Sequence, residues 1–406
     1  MNHQRKVRTG LVGVAVAVSL LATACGSGGG DDDAGDSSKP YKVLFVSGKT
    51  GLYANPAAAV GRGVQAKIDS INDKGGIKGR KVTLELKDNQ SDPTRGVSLV
   101  QEALGEKQKP ELVIPGQSSN EALSIAPLTS RQKIVTVGSA SSPVLDDVKK
   151  YPYFFSASLT HLVIYESMLK FIKEKTPEVK RVALVTSNDA LGDGTENFFR
   201  KNFEGTGIDI SVDRFQFDSI DVTPVFQKAL SAKPDWLIVE GAGAQVAIML
   251  KSRLKAGGEG VPTIVGSSAS SQPILDIVSP AERENVYNTL APNEAFVEPA
   301  NRGEEFNEFL KRIKDQGPLV LPISAYAAGW DSVGIWARGV ENTSGEITGE
   351  RVKATMEGLP KSDDPQFPAY GGGGGATKTS HFHPGDPDDF TFGQVVKVTD
   401  GMTIIK

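Results

Sequence analysis

The chain has 406 residues, 39% of them hydrophobic and 23% charged, with a formal net charge of −4 and a single cysteine. That length exceeds what one hydrophobic core organises and points to two domains. The charge balance provides no basic field for nucleic acid, and one cysteine excludes an internal disulfide.

The N-terminus carries Arg5, Lys6 and Arg8, followed by an apolar or small run from Gly10 to Ala24. This run is shorter than the roughly 20 residues a membrane-spanning helix requires, and reads as a secretory signal. Its end, LATAC, places the only cysteine, Cys25, at the expected cut, with Leu21 one position earlier than usual. The stretch resembles a bacterial lipobox, which implies a signal peptide over 1–24 and lipid on Cys25. The segment over 25–40 is glycine, serine and aspartate with little to bury, and reads as a flexible tether. The mature protein is then expected outside the cytoplasmic membrane, held by its N-terminal lipid, with more than one acyl chain for stable anchoring.

The body alternates apolar strand-like runs with helical patterns. KVLFVSG (42–48) is followed by Val60, Val64, Ile68 and Ile71, one face of a helix. KVTLELKD (81–88), ELVIPG (111–116), KIVTVG (133–138), VALVTS (182–187), DWLIVEG (235–241) and VPTIVG (261–266) continue the alternation. Such a pattern predicts an α/β chain of parallel sheets covered by helices, in two sets, about 41–158 and 159–291. Helices are expected over Gly303–Asp315 and Ala325–Asn342, a mobile loop at Gly371–Gly375, and a hairpin at the C-terminus.

In such sheets ligands bind beyond the carboxyl ends of the strands. Two loops there carry serines. Ser118 and Ser119 sit where a helix begins, and Ser142 with Pro143 has the pattern of an N-cap and first helical residue. Each serine alone reads first as a cap. Two such helix starts in neighbouring positions suggest a carboxylate site.

The segment SINDKGGIKGRKVTLELKDNQSDPTRGVSLVQEAL (70–104) resembles the type I periplasmic solute-binding proteins, which include the branched-chain amino-acid binding proteins of ABC importers. The resemblance continues through VIPGQSSNEALSIAP, VTVGSASSPVL, VALVTSNDALGDG and AYAAGWDSVGIWARGVENT. It implies two Rossmann-like lobes joined by three crossings, near Ser158, Pro292 and 376–384. The N-terminal lobe would comprise 41–158 plus 293–378, and the C-terminal lobe 159–292 plus 379–406. It further implies a solute closed between the lobes, and a permease and ATPase as partners, with no cofactor.

Transferred by position, the carboxylate site of that family falls on Ser119, Ala140 and Ser141, with Ser118 beside them and Tyr53 over the tail of the solute. In the second lobe, Thr160 and His161 follow the first crossing. The positions that hold an ammonium in amino-acid binders are Leu191, Ala242 and Ser268 here, with no negative side chain among them. A buried ammonium without a partner costs several kcal/mol. The expectation is therefore a carboxylate-bearing solute, aliphatic or aromatic, that is not a plain α-amino acid. Glu240, at a strand end close by, is the group that would restore an ammonium site. The same fold can also serve a ligand sensor.

An enzyme is the competing class, but no G-x-S-x-G elbow occurs and His161 is the one well-placed base. EGAGAQ (240–245) lacks the third glycine of a dinucleotide loop. His381, His383, Asp386, Asp388 and Asp389 have metal-ligand chemistry but no second cluster to complete a site, so a polar surface loop is the expectation there and no metal is expected.

Overall fold

The computed structural model describes residues 39–359, 376–382 and 386–406, except 52, 141, 159–160, 242–244 and 292–293. The expected signal, Cys25, nearly all of the tether and the Gly371–Gly375 loop lie outside the described residues.

The first half runs β1 (Tyr41–Ser47), α1 (Ala54–Asp73), β2 (Val82–Asp88), α2 (Pro93–Leu104), β3 (Leu112–Ile114), α3 (Ser119–Arg131), β4 (Val135–Gly138) and β5 (Phe154–Ser156). These strands form one sheet in the order β2-β1-β3-β4-β5, all parallel. The second half runs α4 (His161–Lys175), β6 (Arg181–Ser187), α5 (Ala190–Phe203), β7 (Asp209–Phe215), α6 (Thr223–Ser231), β8 (Trp236–Glu240), α7 (Gln245–Lys255), β9 (Thr263–Val265), α8 (Gln272–Ile277) and β10 (Val286–Leu290). Then come α9 (Glu304–Asp315), α10 (Ile323–Asn342), α11 (Gly349–Met356), β11 (Thr391–Gly393), β12 (Val395–Thr399) and β13 (Met402–Ile405). The second sheet has the order β11-β10-β9-β8-β6-β7, parallel except for the antiparallel edge β11. Two parallel α/β lobes are thus present, as the alternation predicts.

The core explains which residues form these elements. Val60, Val64, Ile68 and Ile71, the predicted stripe of α1, are all buried against β1, β3 and β4. The same helix packs on α10 at unusually short range. A Cβ built on Gly63 would lie 1.9 Å from the carbonyl oxygen of Tyr326, and one on Gly329 would lie 2.0 Å from that of Val60. Each helix therefore offers a glycine to the backbone of the other.

Three features depart from the sequence pattern. The segment after β4 does not open an α-helix: Pro143–Asp146 is a single 3-10 turn, and Ser142 makes no capping bond. Strands β5, β7 and β10 are not anticipated. The C-terminal hairpin is β12–β13, whereas β11 leaves it to join the second sheet. The hairpin also reaches the first lobe. Met402 is buried with Ala59, Phe309, Ile323 and Trp330, and the Thr403 amide donates to the Glu294 carbonyl at 2.7 Å.

His381 lies in the 376–384 stretch and is almost wholly buried. Its ring stacks on Phe155 at 4.0 Å between centroids. Nδ1 is 2.8 Å from the carbonyl oxygen of Phe154 and Nε2 is 3.0 Å from Oε1 of Glu357. Each ring nitrogen thus has an oxygen partner. Burial opposes ionisation of Glu357, but Lys353 and His381 outweigh it and hold its carboxyl below the usual range. His381 is thereby a fastener of this segment. His383 lies outside the described residues, and among the described residues no group of three or more His, Cys, Asp or Glu side chains could hold a metal. Replacing His381 by Phe keeps the stack and deletes both bonds. Because Glu357 retains Lys353, the expected loss of unfolding free energy in urea is about 2–3 kcal/mol. A loss under about 0.5 kcal/mol, within the range of neutral surface changes, would show that the pair fastens nothing.

Candidate functional site

The first-lobe side of the site rests on the loop that follows β2. Asp88 ends β2 and accepts from the amides of Lys49 and Gln90 at 2.8 and 2.9 Å. Ser91 donates to the Thr50 carbonyl at 3.0 Å, and its hydroxyl oxygen accepts from the Tyr53 amide at 3.2 Å. Asp92 caps α2, with Pro93 at its first position. The D-N-Q-S-D-P run therefore builds the shelf that holds Tyr53 at the start of α1.

At α3, Ser118 is the cap of a full capping box. Its hydroxyl accepts from the Glu121 amide at 3.1 Å and donates to Glu121 Oε2 at 2.9 Å, while Oε2 also takes the Ser118 amide at 2.9 Å. Glu121 is fully buried, with Asn89 donating to its other oxygen. The positive end of this helix is thus already met by a carboxylate. Ser119, the first residue of α3, is half-buried next to it. The Ala140 methyl is packed with Ala122, Ala126, Leu145 and Phe154, so its side chain belongs to the core. With Pro143 starting only a 3-10 turn, the expected second helix end is absent here.

In the second lobe, Asp189 caps α5, accepting from the Leu191 and Gly192 amides at 3.1 and 3.0 Å and from Ser187 Oγ at 2.7 Å. Leu191 is thereby fixed in the first turn of α5, half-buried. Thr195 donates to the Leu191 carbonyl, so the buried Tyr165 hydroxyl, 2.6 Å away, donates to Thr195. Thr186 and Glu240 are register partners on adjacent parallel strands and share the α4–α5 face of the sheet. Glu240 is 7% exposed, and its carboxyl makes no hydrogen bond among the described residues. Burial, with the Asp189 charge adding to it, pushes its pKa up to about 8.

The lobes meet here. Tyr53 of the first lobe stacks on Phe217, in the loop after β7, at 5.8 Å between centroids and 21° between planes. Pro143 packs against Gly194 of α5. The Tyr53 phenol is pushed well above its ordinary pKa by burial, then by the charges of Asp189 and Glu121. Around this contact, buried polar atoms without a hydrogen-bond partner among the described residues gather at the strand ends of both lobes. They are Ser47 Oγ, Gln117 Nε2 and Ser142 Oγ on one side, and Thr186 Oγ1 with both amide atoms of Gln245 on the other. Orphaned buried groups are rare in native structures, and six of them at the carboxyl ends of two facing sheets make this the candidate cleft.

Of the residues expected from the sequence, Tyr53, Ser118, Ser119, Ala140 and Leu191 are brought to this region. Ser141, Thr160 and Ala242 lie outside the described residues, as do the side chains of His161 and Ser268. Phe217, Thr186, Asp189 and Gln245 are not anticipated, although Asp189 had a readable signal, an acidic residue directly before a helical pattern.

A family model described as periplasmic binding protein matches residues 40–395. The chain belongs to that family. Solved structures add the fold. The binding protein is 17% identical to a branched-chain amino acid transporter substrate binding protein from Streptococcus pneumoniae in complex with isoleucine, with TM-score 0.69 over 90% of this chain and 98% of the other. It is 21% identical to a solute binding protein of an ABC transporter from Rhodopseudomonas palustris in complex with 3,4-dihydroxy benzoic acid, with TM-score 0.69 over 90% and 96%. Among curated proteins, it is 28% identical over 178 residues to a Leu/Ile/Val-binding protein of Rhizobium johnstonii, a match covering 41% of this chain. That match spans 44% of the relative's length. The fold of this binding protein is the type I periplasmic binding protein fold, and no helix among its described residues is long and apolar enough to cross a membrane.

Proposed function

We propose that this protein is the extracytoplasmic solute-binding component of an ABC importer, anchored by lipid on Cys25. In this reading its lobes close on a small carboxylate-bearing solute, which it delivers to a permease and ATPase. The observation that carries this is the set of unpartnered buried polar atoms at the strand ends of both lobes, where they touch through Tyr53 and Phe217. Ser119, Ser141 and the backbone at Ala140 take the anionic end. Thr160, His161, Leu191, Ala242 and Ser268 enclose the rest. Binding stabilises the closed form by the difference in affinity between closed and open lobes. The names of the relatives and neighbours describe binding and transport, which agrees with a role other than catalysis.

One observation favours a second reading, in which the solute carries an ammonium. Glu240 is a buried carboxyl with no hydrogen-bond partner among the described residues, on the face of the sheet beneath α4 and α5. Calorimetry at pH 7 in two buffers of different ionisation heat separates the readings. With a pKa of about 8, Glu240 is mostly protonated. A carboxylate solute leaves that proton in place, so no net release is expected. An ammonium expels it, giving nearly one proton per solute. The panel pairs α-amino acids with acids of similar size lacking the amino group, aromatic acids included. Binding by the latter without proton release, weakened about tenfold by Ser119→Ala, is expected. Unchanged affinity in Ser119→Ala removes the anion site from the reading.

A further inference from the structure

We propose a second ligand site in this protein, outside the cleft, for a small organic anion carried on a short apolar body. A pocket of about 610 Å³ lies between β10, the turn before it and the terminal hairpin. Asn288 places it on the α6–α7 face of the second sheet. Asn288 pairs with Val265, which pairs with Val239, and these valines point opposite to Glu240. The pocket is therefore on the other side of the sheet from the cleft carboxyl.

Its lining holds two unpartnered donors. Asn288 is 3% exposed, and its Nδ2 has no hydrogen-bond partner among the described residues. Nε of Arg283, also in the lining, is buried and equally unpartnered. Both atoms donate. Behind the Glu284 carbonyl sits the guanidinium of Arg253, wholly buried, its pKa driven down to about 10 by burial against the opposing charges of Glu259 and Glu284. The opposite charges of Glu284 and Lys406 are exposed at the rim. Leu250, Val286 and Val395 supply the apolar wall. Two buried donors with no acceptor, next to apolar surface, suit a carboxylate or phosphate head with a short hydrocarbon tail.

The test is a nuclear magnetic resonance titration of the purified protein with hexanoate and, separately, hexyl phosphate. Saturable shifts of the Asn288 side-chain amide and the Val395 backbone amide are expected with at least one probe, and the comparison tells which head group is preferred. Asn288→Leu and, independently, Arg283→Gln are each expected to weaken that binding at least tenfold. Arg283→Gln guards against misfolding of the core variant. No saturable shift at these positions, shifts confined to the amides of Ala140 and Leu191 in the cleft, or binding that survives both substitutions would overturn the site.

Discussion

Glu240→Gln is expected to make the protein more stable above neutral pH and to leave it nearly unchanged near pH 4. The folded-state pKa of Glu240 is about 8, raised from 4.5 by burial and then by Asp189. A carboxyl raised in this way contributes stability that is fully present below its unfolded value. That contribution is lost as pH climbs, because the unfolded chain releases the proton first. The loss accumulates between about pH 4.5 and pH 8 at about 1.4 kcal/mol per unit, roughly 5 kcal/mol in all, and is constant beyond. The amide mimics the protonated form and cannot ionise. The difference in urea-unfolding free energy between the two proteins should therefore open over that window, reaching about 3 kcal/mol by pH 7. Parallel pH profiles would mean that Glu240 ionises as freely in the folded cleft as in the unfolded chain. The proton-release comparison that separates the two solute readings would then lose its basis.

The crossing of α1 and α10 sets the second large effect. Gly63→Ala or Gly329→Ala puts a methyl within about 2 Å of a carbonyl oxygen on the facing helix. Neither atom can rotate away, because both carbonyls belong to helical backbone. The helices must separate, and the neighbours Val60, Val64, Tyr326 and Trp330, all buried, lose packing together. Alanine would otherwise favour each helix by up to about 1 kcal/mol over glycine. Overpacking at a backbone contact outweighs this, so a net destabilisation of about 2–4 kcal/mol is expected for each substitution. The double variant should cost less than the sum, since the first methyl already forces the separation. Stabilisation by either alanine would show that the helices sit farther apart than this.

The sheets were legible wherever a strand is buried on both faces, because such strands read as short apolar runs. β1, β3, β4, β6, β8 and β9 are of this kind. β7 is an edge strand whose sequence, DISVDRF, puts Asp209, Ser211 and Asp213 on one face. β10 buries Asn288 and Thr289 among its five residues, and β5 ends on Ser156 after only two apolar residues. None of the three carries the run that a fully apolar interior imposes. In the cleft, the serines before α3 were visible as a helix start, but their division of labour was not. Only the placement of Glu121 shows that Ser118 serves the helix. Phe217 had no signal at all, since a loop after an edge strand acquires its role from the lobe it meets. Glu240 stood in plain view as the end of an apolar run, yet its burial depends on α4, distant in sequence.

The stack of Tyr53 on Phe217 joins the lobes with protein atoms alone. An aromatic pair of this kind contributes about 0.5–1.5 kcal/mol beyond the area it buries, which multiplies the closed population by roughly 2 to 13. That factor removes part of the conformational cost otherwise charged against every solute, and it does so without regard to which solute arrives. In an importer, the same factor raises the fraction of receptor that reaches the permease shut and without cargo. On the importer role proposed above, the two rings would trade sensitivity at low solute concentration against idle turnover of the ATPase.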